Sequence, residues 1–522
     1  MSRTGIVNII NFIRAVEPRE EVDLVAPVVN QIRLVNEHDL PATWLLQYDA
    51  LIDDRFVPLL RESLDDRHEI GVWFEVVQPQ AEKAGIKWRG RYPWDWHSHV
   101  GFSIGYTPAE REKLADVLME DFRAVFGRYP RSMGSWLFDA HLLGYLSDRY
   151  GLVAACNCKD QWGTDGYNVW GGYYNQAYYP SRVNVLMPAQ TAERQIPVPV
   201  FRMLGSDPIY QYDSLRGDDP MTCLQDVISL EPVYKGGGGN PEWVRWFFDV
   251  NFNAPCLAFG YTQVGQENPF GWPAMADGLT DQIGLLARKA AAGELRVETL
   301  EASGRWFRQK WPLTPAAAIT ALSDWKNEGR RSVWYNSRFY RTNLYWEGDD
   351  FRIRDMHLFD ENYHERYLTD VCTTPSSLYD TLPVVDGHHW SYGSQRAGVR
   401  IVRIGPEDKA TPVSAGSPQV TEHGEALKLA FDTDAGATTL VCQPDAIALD
   451  LPDGCGLELT WAPQATLPIV GVEPQALHYR HCGHPYRLTI QGGRFNRAVN
   501  NQTSITAAAE GRRVVLAARP GA

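Results

Sequence analysis

The sequence predicts an α/β barrel followed by an antiparallel β-sandwich. Up to about residue 305, short apolar runs alternate with amphipathic stretches, which is typical of parallel strands and their connecting helices. From about residue 315 the segments become short, aromatic-rich and alternating, with Gly and Asp between them. A chain of 522 residues is also too long for one hydrophobic core. We therefore predict a barrel of seven or eight strand–helix units over residues 1–312 and a sandwich over residues 313–522.

Eight apolar runs are the candidates for the barrel strands. They cover residues 6–13, 42–47, 69–74, 132–138, 153–158, 198–204, 256–261 and 295–299. Amphipathic stretches at 22–36 and 108–126 predict helices, and Thr107 before Pro108 suits an N-cap with proline at the first helical position. No glycine-rich phosphate fingerprint follows any of these runs, which favours a closed barrel over an open nucleotide-binding sheet.

The C-terminal region repeats a scheme of short strand, turn and short strand. Its segments include ALKLAFDTDAGATTLVCQ, GLELTWAP, YRLTIQGG and RRVVLAA. Alternating residues at this spacing are typical of an antiparallel sandwich. Residues 312–315, PLTP, which begin and end with proline, are the predicted boundary between the two regions.

Charge and composition limit the partners and the compartment. The net charge of −14 argues against nucleic acid or an anionic membrane surface, since both need a basic footprint. No apolar stretch is long enough to span a membrane, and no small-residue cleavage site follows the first apolar run. Eight scattered cysteines suggest reduced thiols. We predict a cytoplasmic protein without a cofactor, and self-association stays open.

Aromatic residues are unusually abundant. The chain has 18 Trp and 24 Tyr, whose flat faces and polar tips suit contact with sugar rings. Core filling is the alternative for the same residues, because buried rings also stabilise large barrels.

Several segments, in order, resemble the polysaccharide deacetylase family. LPATWLLQYDALI is similar to the second strand of that family, and DRHEIG matches its His-Glu-Ile-Gly segment. SHVGFSIGYTPAEREKL followed by FGRYPRSMGSW resembles the family's Ser-His, helix and Gly-Arg-x-Pro sequence. LTDQIGLLARKAAAGELRVETLEA is similar to its last helix and strand. The resemblance covers about residues 1–305 and implies a barrel that acts on carbohydrate.

The metal ligands of that family are not reproduced here. The resemblance implies an Asp pair at the end of strand one, where this chain has Asn11-Phe12-Ile13-Arg14, and a histidine at the position of Trp73. His99 is the candidate for the remaining histidine, and His97 could join it as a new ligand pair. Because a hydrolytic metal site needs about three protein ligands, we predict that no metal is bound.

Related barrels of glycoside hydrolase family 57 suggest a different chemistry. The resemblance implies two carboxylates, one of them near the end of strand four, where this chain has Asp139. One carboxyl of such a pair protonates the leaving oxygen, and the other acts as nucleophile or base. Asp139 also precedes a predicted helix, so capping is the alternative role for this residue.

Three residues are candidates for the partner carboxylate. In order of preference they are Asp207, Glu267 and Glu75, each of which follows a predicted strand. The residues expected to contact the substrate are Arg14, Trp44, Gln47, Trp73, His97, His99, Trp136, Asp160, Trp162 and Tyr261.

The function predicted from these observations is a metal-independent glycoside hydrolase that uses two carboxylates on oligosaccharides or glycosides. Two alternatives remain. One is a metal-dependent carbohydrate deacetylase or amidohydrolase with a rearranged site, and the other is a carbohydrate-binding protein without catalytic activity.

Overall fold

The computed structural model describes residues 5–158, 172–216, 224–378, 381–405, 409–497 and 503–519. The N-terminal region contains the strands β1 Gly5–Ile13, β2 Thr43–Leu46, β3 Glu69–Trp73, β4 Ser132–Ser135, β5 Ala154–Asn157, β6 Ala177–Tyr178, β7 Pro180–Ser181, β8 Asn184–Pro188, β9 Val200–Arg202, β10 Leu215–Arg216, β11 Leu224–Gln225, β12 Gly260–Val264 and β13 Arg296–Glu298. Its helices are α1 Val25–Glu37, α2 Tyr48–Leu51, α3 Phe56–Ser63, α4 Gln78–Lys83, α5 Ser98–Gly101, α6 Pro108–Phe126, α7 Ala140–Tyr150, α8 Pro241–Phe252, α9 Trp272–Ala291 and α10 Leu300–Lys310.

Seven parallel strands form the curled sheet of the barrel. Their order is β12-β1-β2-β3-β4-β5-β9, with β6 antiparallel to β9 and β13 parallel to β1. Among the described residues no backbone ladder joins the outer strands β9 and β12. A side chain links them instead, because the Leu204 N–H donates to Oε1 of Gln263 at 3.1 Å. The predicted α/β barrel is confirmed, with this side-chain contact at its seam.

Predicted and observed elements differ mainly at their ends. Helix α6 has the predicted bounds, with Thr107 and Glu110 forming a capping box. The predicted strand 132–138 stops at Ser135, whose hydroxyl donates to the Phe74 and Leu137 carbonyls as the chain leaves the sheet. The predicted strand 256–261 has the wrong bounds, because the strand observed here covers Gly260–Val264. Leu257 has a φ of +65° and forms a bridge with the C-terminal region, so β12 begins only at Gly260.

The C-terminal region is antiparallel throughout. Its strands are β14 Ala317–Ala321, β15 Arg330–Asn336, β16 Tyr340–Glu347, β17 Asp350–Leu358, β18 Leu382–Asp386, β19 Gly398–Ile404, β20 Ala410–Pro412, β21 Gln419–His423, β22 Ala426–Thr433, β23 Gly436–Gln443, β24 Ala446–Asp450, β25 Cys455–Thr460, β26 Ile469–Glu473, β27 Ala476–His481, β28 His484–Gln491, β29 Gly493–Arg497, β30 Ser504–Ala509 and β31 Arg513–Ala517.

These strands form two sheets that face each other. One follows the order β14-β15-β16-β17-β19-β25-β30-β29, and the other β21-β22-β23-β24-β31-β28-β27-β26. Phe431 of the second sheet contacts Trp346 and Phe351 of the first, with ring centroids 5.7 and 5.4 Å apart. The predicted β-sandwich is therefore confirmed. The residue at which the chain divides, predicted at 312/313, stays a prediction, although α10 ends at Lys310 and β14 begins at Ala317.

The connection between β17 and β18 lies against the barrel. The Ser98 N–H donates to the Pro375 carbonyl at 2.7 Å, and the Cys372 N–H donates to the Ile104 carbonyl at 2.8 Å. Glu365 accepts hydrogen bonds from the N–H groups of Ala140 and Val185 at 2.7 and 2.8 Å. Backbone and side-chain bonds of this segment thus cover the loops that follow β3 and β4. None of the described helices combines the length and apolar composition that crossing a membrane requires.

Asp207 joins the two regions through a buried carboxyl group. Oδ1 accepts from the N–H groups of Ile209 and Tyr210, both at 2.8 Å. Oδ2 accepts from the indole of Trp243 on α8 at 2.8 Å and from that of Trp325, beyond β14, at 3.0 Å. Four donors therefore satisfy this carboxyl, and burial raises its pKa.

We expect Trp325→Phe to lower the thermal midpoint, because Oδ2 of Asp207 loses one of its two indole donors. A hydrogen bond to a charged or strongly polar buried group contributes about 1–3 kcal/mol. Differential scanning fluorimetry measures the shift. Trp88→Phe is the matched control, since its indole donates to the Tyr92 carbonyl in an exposed contact. Equal midpoints for the two variants would show that the Asp207 link contributes nothing.

Candidate active site

Arg14 follows β1 directly, and its main chain is held on both sides. The Arg14 N–H donates to Oδ1 of Asn268 at 2.9 Å, and Nδ2 of Asn268 donates back to the Arg14 carbonyl at 2.9 Å. The next N–H, that of Ala15, donates to Oδ2 of Asp49 at 3.1 Å. These bonds fix the direction in which the Arg14 side chain leaves the strand.

A glycine lets the end of β12 approach β1. Gly265 has a φ of +120°, and a Cβ at this position would lie 2.1 Å from the Ile10 carbonyl oxygen. Only glycine fits this conformation and this spacing. The two residues that follow, Gln266 and Glu267, are thereby brought beside the end of β1.

The Arg14 guanidinium bridges two of the predicted carboxylates. Its Nη2 lies 3.2 Å from Oε2 of Glu75, beyond β3, and its Nη1 lies 2.7 Å from Oε2 of Glu267, beyond β12. Glu75 also accepts from the Trp94 indole at 3.1 Å and from Nε2 of Gln47 at 3.5 Å. The structure therefore brings together Arg14, Gln47, Glu75 and Glu267 at the carboxyl end of the sheet.

The two carboxyls have different electrostatic surroundings. Burial raises the pKa of Glu267 to about 8, and the neighbouring carboxylates Glu75 and Glu231 act in the same direction, against Arg14. Burial also raises the pKa of Glu75, but Arg14 and the indole of Trp94 favour its ionised form. The exposed fraction of the Glu267 side chain is 6% and that of Glu75 is 0%. With a pKa of about 8, Glu267 keeps a proton at neutral pH, and of the two carboxyls it lies nearer to solvent.

Stacked aromatic rings fill the barrel beside this cluster. Phe12 and Trp73 lie parallel with ring centroids 3.8 Å apart, and the edge of Trp136 meets both. Gly134 on β4 makes room for the indole, since a Cβ there would lie 2.6 Å from Trp73. Trp73 has no exposed surface, so it packs the barrel interior and offers no face to a ligand.

The donors needed for a deacetylase metal do not converge in the described residues. Trp73, stacked on Phe12, takes the position of one histidine ligand. His97 lies 3.4 Å from Oδ1 of Asp95, and that carboxylate is already held by the Arg91 guanidinium at 2.9 Å. No group of three or more His, Cys, Asp or Glu side chains in the described ranges is placed to hold a metal ion. These residues therefore do not fit the metal that the resemblance implies.

A row of aromatic and imidazole rings leads from the carboxylate cluster to the surface. Trp94 lies over the Arg14 guanidinium at 4.1 Å, and Trp96 lies 6.0 Å from Trp94 between ring centroids. His97 follows at 5.8 Å from Trp96, and His99 at 5.8 Å from His97. The Tyr92 ring, which is exposed, stacks on Trp96 at 6.0 Å. We call these residues (Tyr92, Trp94, Trp96, His97 and His99) the aromatic row.

Asp139 is held by structural contacts. Its Oδ1 accepts from the Leu142 N–H at 2.9 Å, which caps α7, and lies 3.0 Å from Nη1 of the buried Arg111. Its Oδ2 accepts from the Ser103 hydroxyl at 2.5 Å. The hydrogen bonds therefore support the capping role that the sequence left open. Catalysis by Asp139 stays a prediction.

The other sequence-predicted residues lie apart from the cluster. Asp207 links the two regions, as described above. Trp44 is fully buried in the layer between the sheet and its helices, 6.4 Å from the ring of His68. Tyr261 is fully buried within the barrel, where its hydroxyl donates to Asn8 at 3.0 Å. Neither ring has a free face for a substrate. Asp160 and Trp162 lie outside the described residues.

Sequence reasoning missed four residues of this region. Trp94 and Trp96 lie in an insertion, RYPWDWHSH, whose tryptophan spacing was the available signal. Glu231 accepts from Gln266 at 3.2 Å, but it lies far from any predicted strand end. Asp49, whose pKa burial raises to about 7, follows β2 by three residues and could have been found from that position.

The structural comparison agrees with the predicted fold. A candidate glycoside hydrolase/deacetylase from Parabacteroides distasonis superposes with a TM-score of 0.53 and 16% identity, covering 72% of this chain and 89% of that one. The matched part of this chain is therefore longer than its N-terminal region. A candidate polysaccharide deacetylase from Mycobacterium smegmatis gives a TM-score of 0.35 at 13% identity, covering 59% of this chain and 92% of that one. An allantoinase gives 0.34 at 13%, covering 60% and 93%. The TM-scores of the Mycobacterium smegmatis protein and of the allantoinase are too low to support an argument.

No protein-family model matches the sequence, and no curated protein matches it significantly. The barrel nevertheless has a divergent polysaccharide deacetylase-like fold, as the sequence predicted. The C-terminal region remains unrecognised.

Stability should fall as the pH rises from about 5 to 8.5. The pKa of Asp49 is about 7 and those of Glu267 and Glu365 are about 8, so in the folded protein each keeps a proton that the unfolded chain has released. Each such carboxyl lowers the free energy of unfolding by up to about 1.4 kcal/mol per pH unit until the folded pKa is passed. Thermal midpoints across this range measure the slope. Glu267→Gln should flatten it, and Glu37→Gln on the exposed face of α1 is the control. An unchanged slope in Glu267→Gln would contradict the raised pKa.

Asp139→Asn should separate the two roles of this residue. Asparagine caps helices as well as aspartate, so α7 keeps its N-cap. The buried Arg111 loses its ion pair, which costs about 3–5 kcal/mol and lowers the thermal midpoint. Turnover measured well below that midpoint should be near normal. A loss of several orders of magnitude in a folded variant would instead show that Asp139 is catalytic.

Proposed function

We propose that this protein is a carbohydrate-active hydrolase that cleaves glycosidic bonds with Glu75 and Glu267, without a metal. One observation carries the proposal: two buried carboxyls with unlike surroundings share one guanidinium at the carboxyl end of the sheet. Barrel enzymes of this architecture place their reacting groups at this end.

The environments of the two carboxyls suggest separate roles. Glycosidic cleavage needs one carboxyl that gives a proton to the leaving oxygen and one carboxylate that attacks the sugar or activates water. With a pKa of about 8, Glu267 can supply the proton at neutral pH. Burial raises the pKa of Glu75 as well, but the hydrogen bonds from Trp94 and Gln47 and the contact with Arg14 oppose this shift and favour the carboxylate form. Two carboxyls with such unlike surroundings are candidates for an acid and its partner.

The aromatic row provides the surface for sugar rings. Pyranose faces are apolar enough to pack on aromatic rings, while their hydroxyls reach polar tips such as those of Tyr92 and His97. Tyr92 is exposed, whereas the half-buried Trp96 has Tyr92 stacked on its ring and the Arg91 guanidinium 4.5 Å from its centroid, so Tyr92 offers the more accessible ring. A sugar stacked here would lie next to the carboxylate cluster, because Trp94 connects the two. The name of the neighbour from Parabacteroides distasonis, glycoside hydrolase/deacetylase, is consistent with a carbohydrate substrate.

Carbohydrate binding without cleavage is the second candidate. The complete burial of the Glu75 side chain favours it, since an attacking carboxylate must reach the sugar. In this case the aromatic row would hold a glycan, and Arg14 would only neutralise the two carboxylates beneath it. A metal-dependent deacetylase gains no support from the described donors.

Replacing Glu267 by Gln should abolish most of the activity. Loss of a general acid lowers kcat by roughly 10²–10⁴-fold, and Glu75→Gln should have an equal or larger effect. The measurement is release of reducing ends and of aryl groups from a panel of oligosaccharides and aryl glycosides, with EDTA present throughout. Acetate release is followed in parallel to detect deacetylation.

Glu365→Gln is the matched control for this experiment. Glu365 is half-buried and its pKa is also about 8, but it lies beside Asp139 and not beside Arg14. Trp96→Ala should raise KM more than it lowers kcat. If Glu267→Gln turns over substrate like the wild type, the two-carboxylate proposal is wrong. Glycan binding by the wild type without any turnover would establish the second candidate.

A further inference from the structure

One buried arginine of the sandwich, Arg352, forms no hydrogen bond or ion pair with the residues that the structure describes. The described residues contain six buried arginines: Arg14, Arg111, Arg202, Arg341, Arg352 and Arg354. Arg341 forms two 2.9 Å contacts with Asp355, and Arg14, Arg111, Arg202 and Arg354 each have a hydrogen bond or ion pair. Arg352, which is 2% exposed, has neither among the described residues. An unpaired buried charge is costly, so this guanidinium calls for an anion.

Two further unpaired donors lie beside Arg352. Tyr345 on β16 is its direct cross-strand neighbour, and the Arg352 guanidinium lies 5.3 Å from that ring. The Tyr345 hydroxyl is buried without a hydrogen-bond partner in the described part of the chain. Arg354, two residues along β17 and on the same face, lies 4.0 Å over the Tyr345 ring and has a buried Nη2 without a partner there. Three donors from two adjacent strands therefore share one location.

The surrounding charges leave this location positive. Asp213, in the segment after β9, lies 2.9 Å from Nη1 of Arg354, so this carboxylate is already paired. Arg400 pairs with Asp350 at 3.2 Å. Arg352 and the exposed Arg396 form no ion pair with the described residues. Both attract the Asp213 carboxylate electrostatically and lower its pKa. The side chain of Asp213 is 20% exposed, so solvent and small ions reach the edge of the cluster here.

We propose that Arg352, Arg354 and Tyr345 form a binding site for an oxyanion group. The guanidinium groups supply charge-assisted hydrogen bonds, and the Tyr345 hydroxyl adds a neutral donor. This donor set suits a carboxylate, a sulfate or a phosphate, which present several acceptor oxygens at once. The anion would be a free inorganic ion or the acidic substituent of a sugar such as a uronic acid.

The site is independent of the proposed hydrolysis. Its residues lie on β16 and β17 of the sandwich, and none contacts Arg14, Glu75 or Glu267 in the described residues. The contact between Arg354 and Asp213 places it where the sandwich meets the segment after β9 of the barrel. An acidic group bound here would be held at the junction of the two regions.

Isothermal titration calorimetry on the full chain tests the proposal at constant ionic strength adjusted with chloride. Three arms use sodium sulfate, sodium phosphate and sodium glucuronate. We expect saturable binding of at least one of the three anions. The anion that binds most tightly shows whether the site takes a free inorganic ion or the acidic group of a sugar. Arg352→Gln should weaken that binding roughly tenfold to a hundredfold, as expected for the loss of a charge-assisted contact. Arg403→Gln, an exposed position on β19 paired with Asp434, is the control and should bind like the wild type.

A second readout distinguishes a binding role from a structural one. Without an anion, Arg352→Gln should have a thermal midpoint equal to or above that of the wild type, because an unpaired buried charge is removed. Tyr345→Phe keeps the ring, removes one donor and should weaken binding by a smaller factor. If none of the three anions binds, or if both variants bind like the wild type, the proposal is overturned. A large fall in the anion-free midpoint of Arg352→Gln would also overturn it.

Discussion

A positive charge with almost no access to water lies where β1, β3 and β12 end. Arg14 can occupy this place only because Glu75 and Glu267 lie against its guanidinium and Asn268 holds its main chain. Removal of either carboxylate would leave the guanidinium partly uncompensated, and removal of Arg14 would leave two buried carboxyls side by side. Gly265 lets the chain that carries Glu267 approach the end of β1, and the Trp94 ring lies against the guanidinium. Both therefore contribute to the surroundings that compensate this buried charge.

The barrel interior next to this charge is packed with aromatic rings. In the related barrels that the sequence resembles, the corresponding position would carry metal ligands. Here the stacked rings of Phe12 and Trp73, with Trp136 against their edges, exclude water and lower the local dielectric. This explains why carboxyls so near an arginine still have raised pKa values: the cost of desolvation exceeds the attraction to a single shared guanidinium.

Sequence periodicity was sufficient for the barrel strands and for α6, because burial on one face and capping residues are local properties. The error at residues 256–261 came from tertiary contact, since the bridge between Leu257 and Ala317 joins parts of the chain that no local pattern relates. The residues of the candidate site could be predicted in part. Glu75, Glu267 and Arg14 follow strands and could be predicted, but their convergence on one guanidinium depends on how the sheet curls.

The contacts made by the β17–β18 connection have a consequence for the order of folding during synthesis. Arg111, at the start of α6, donates to the carbonyls of Leu368 and Asp370, and Ala140 at the start of α7 donates to Glu365. These partners leave the ribosome more than 200 residues after the helices they complete. Because domains usually fold as they emerge, the nascent barrel has its caps at Thr107 and Asp139 and the ion pair between Arg111 and Asp139, but it still lacks these later hydrogen bonds. The contacts at the starts of α6 and α7 are therefore complete only after residue 370 has been made.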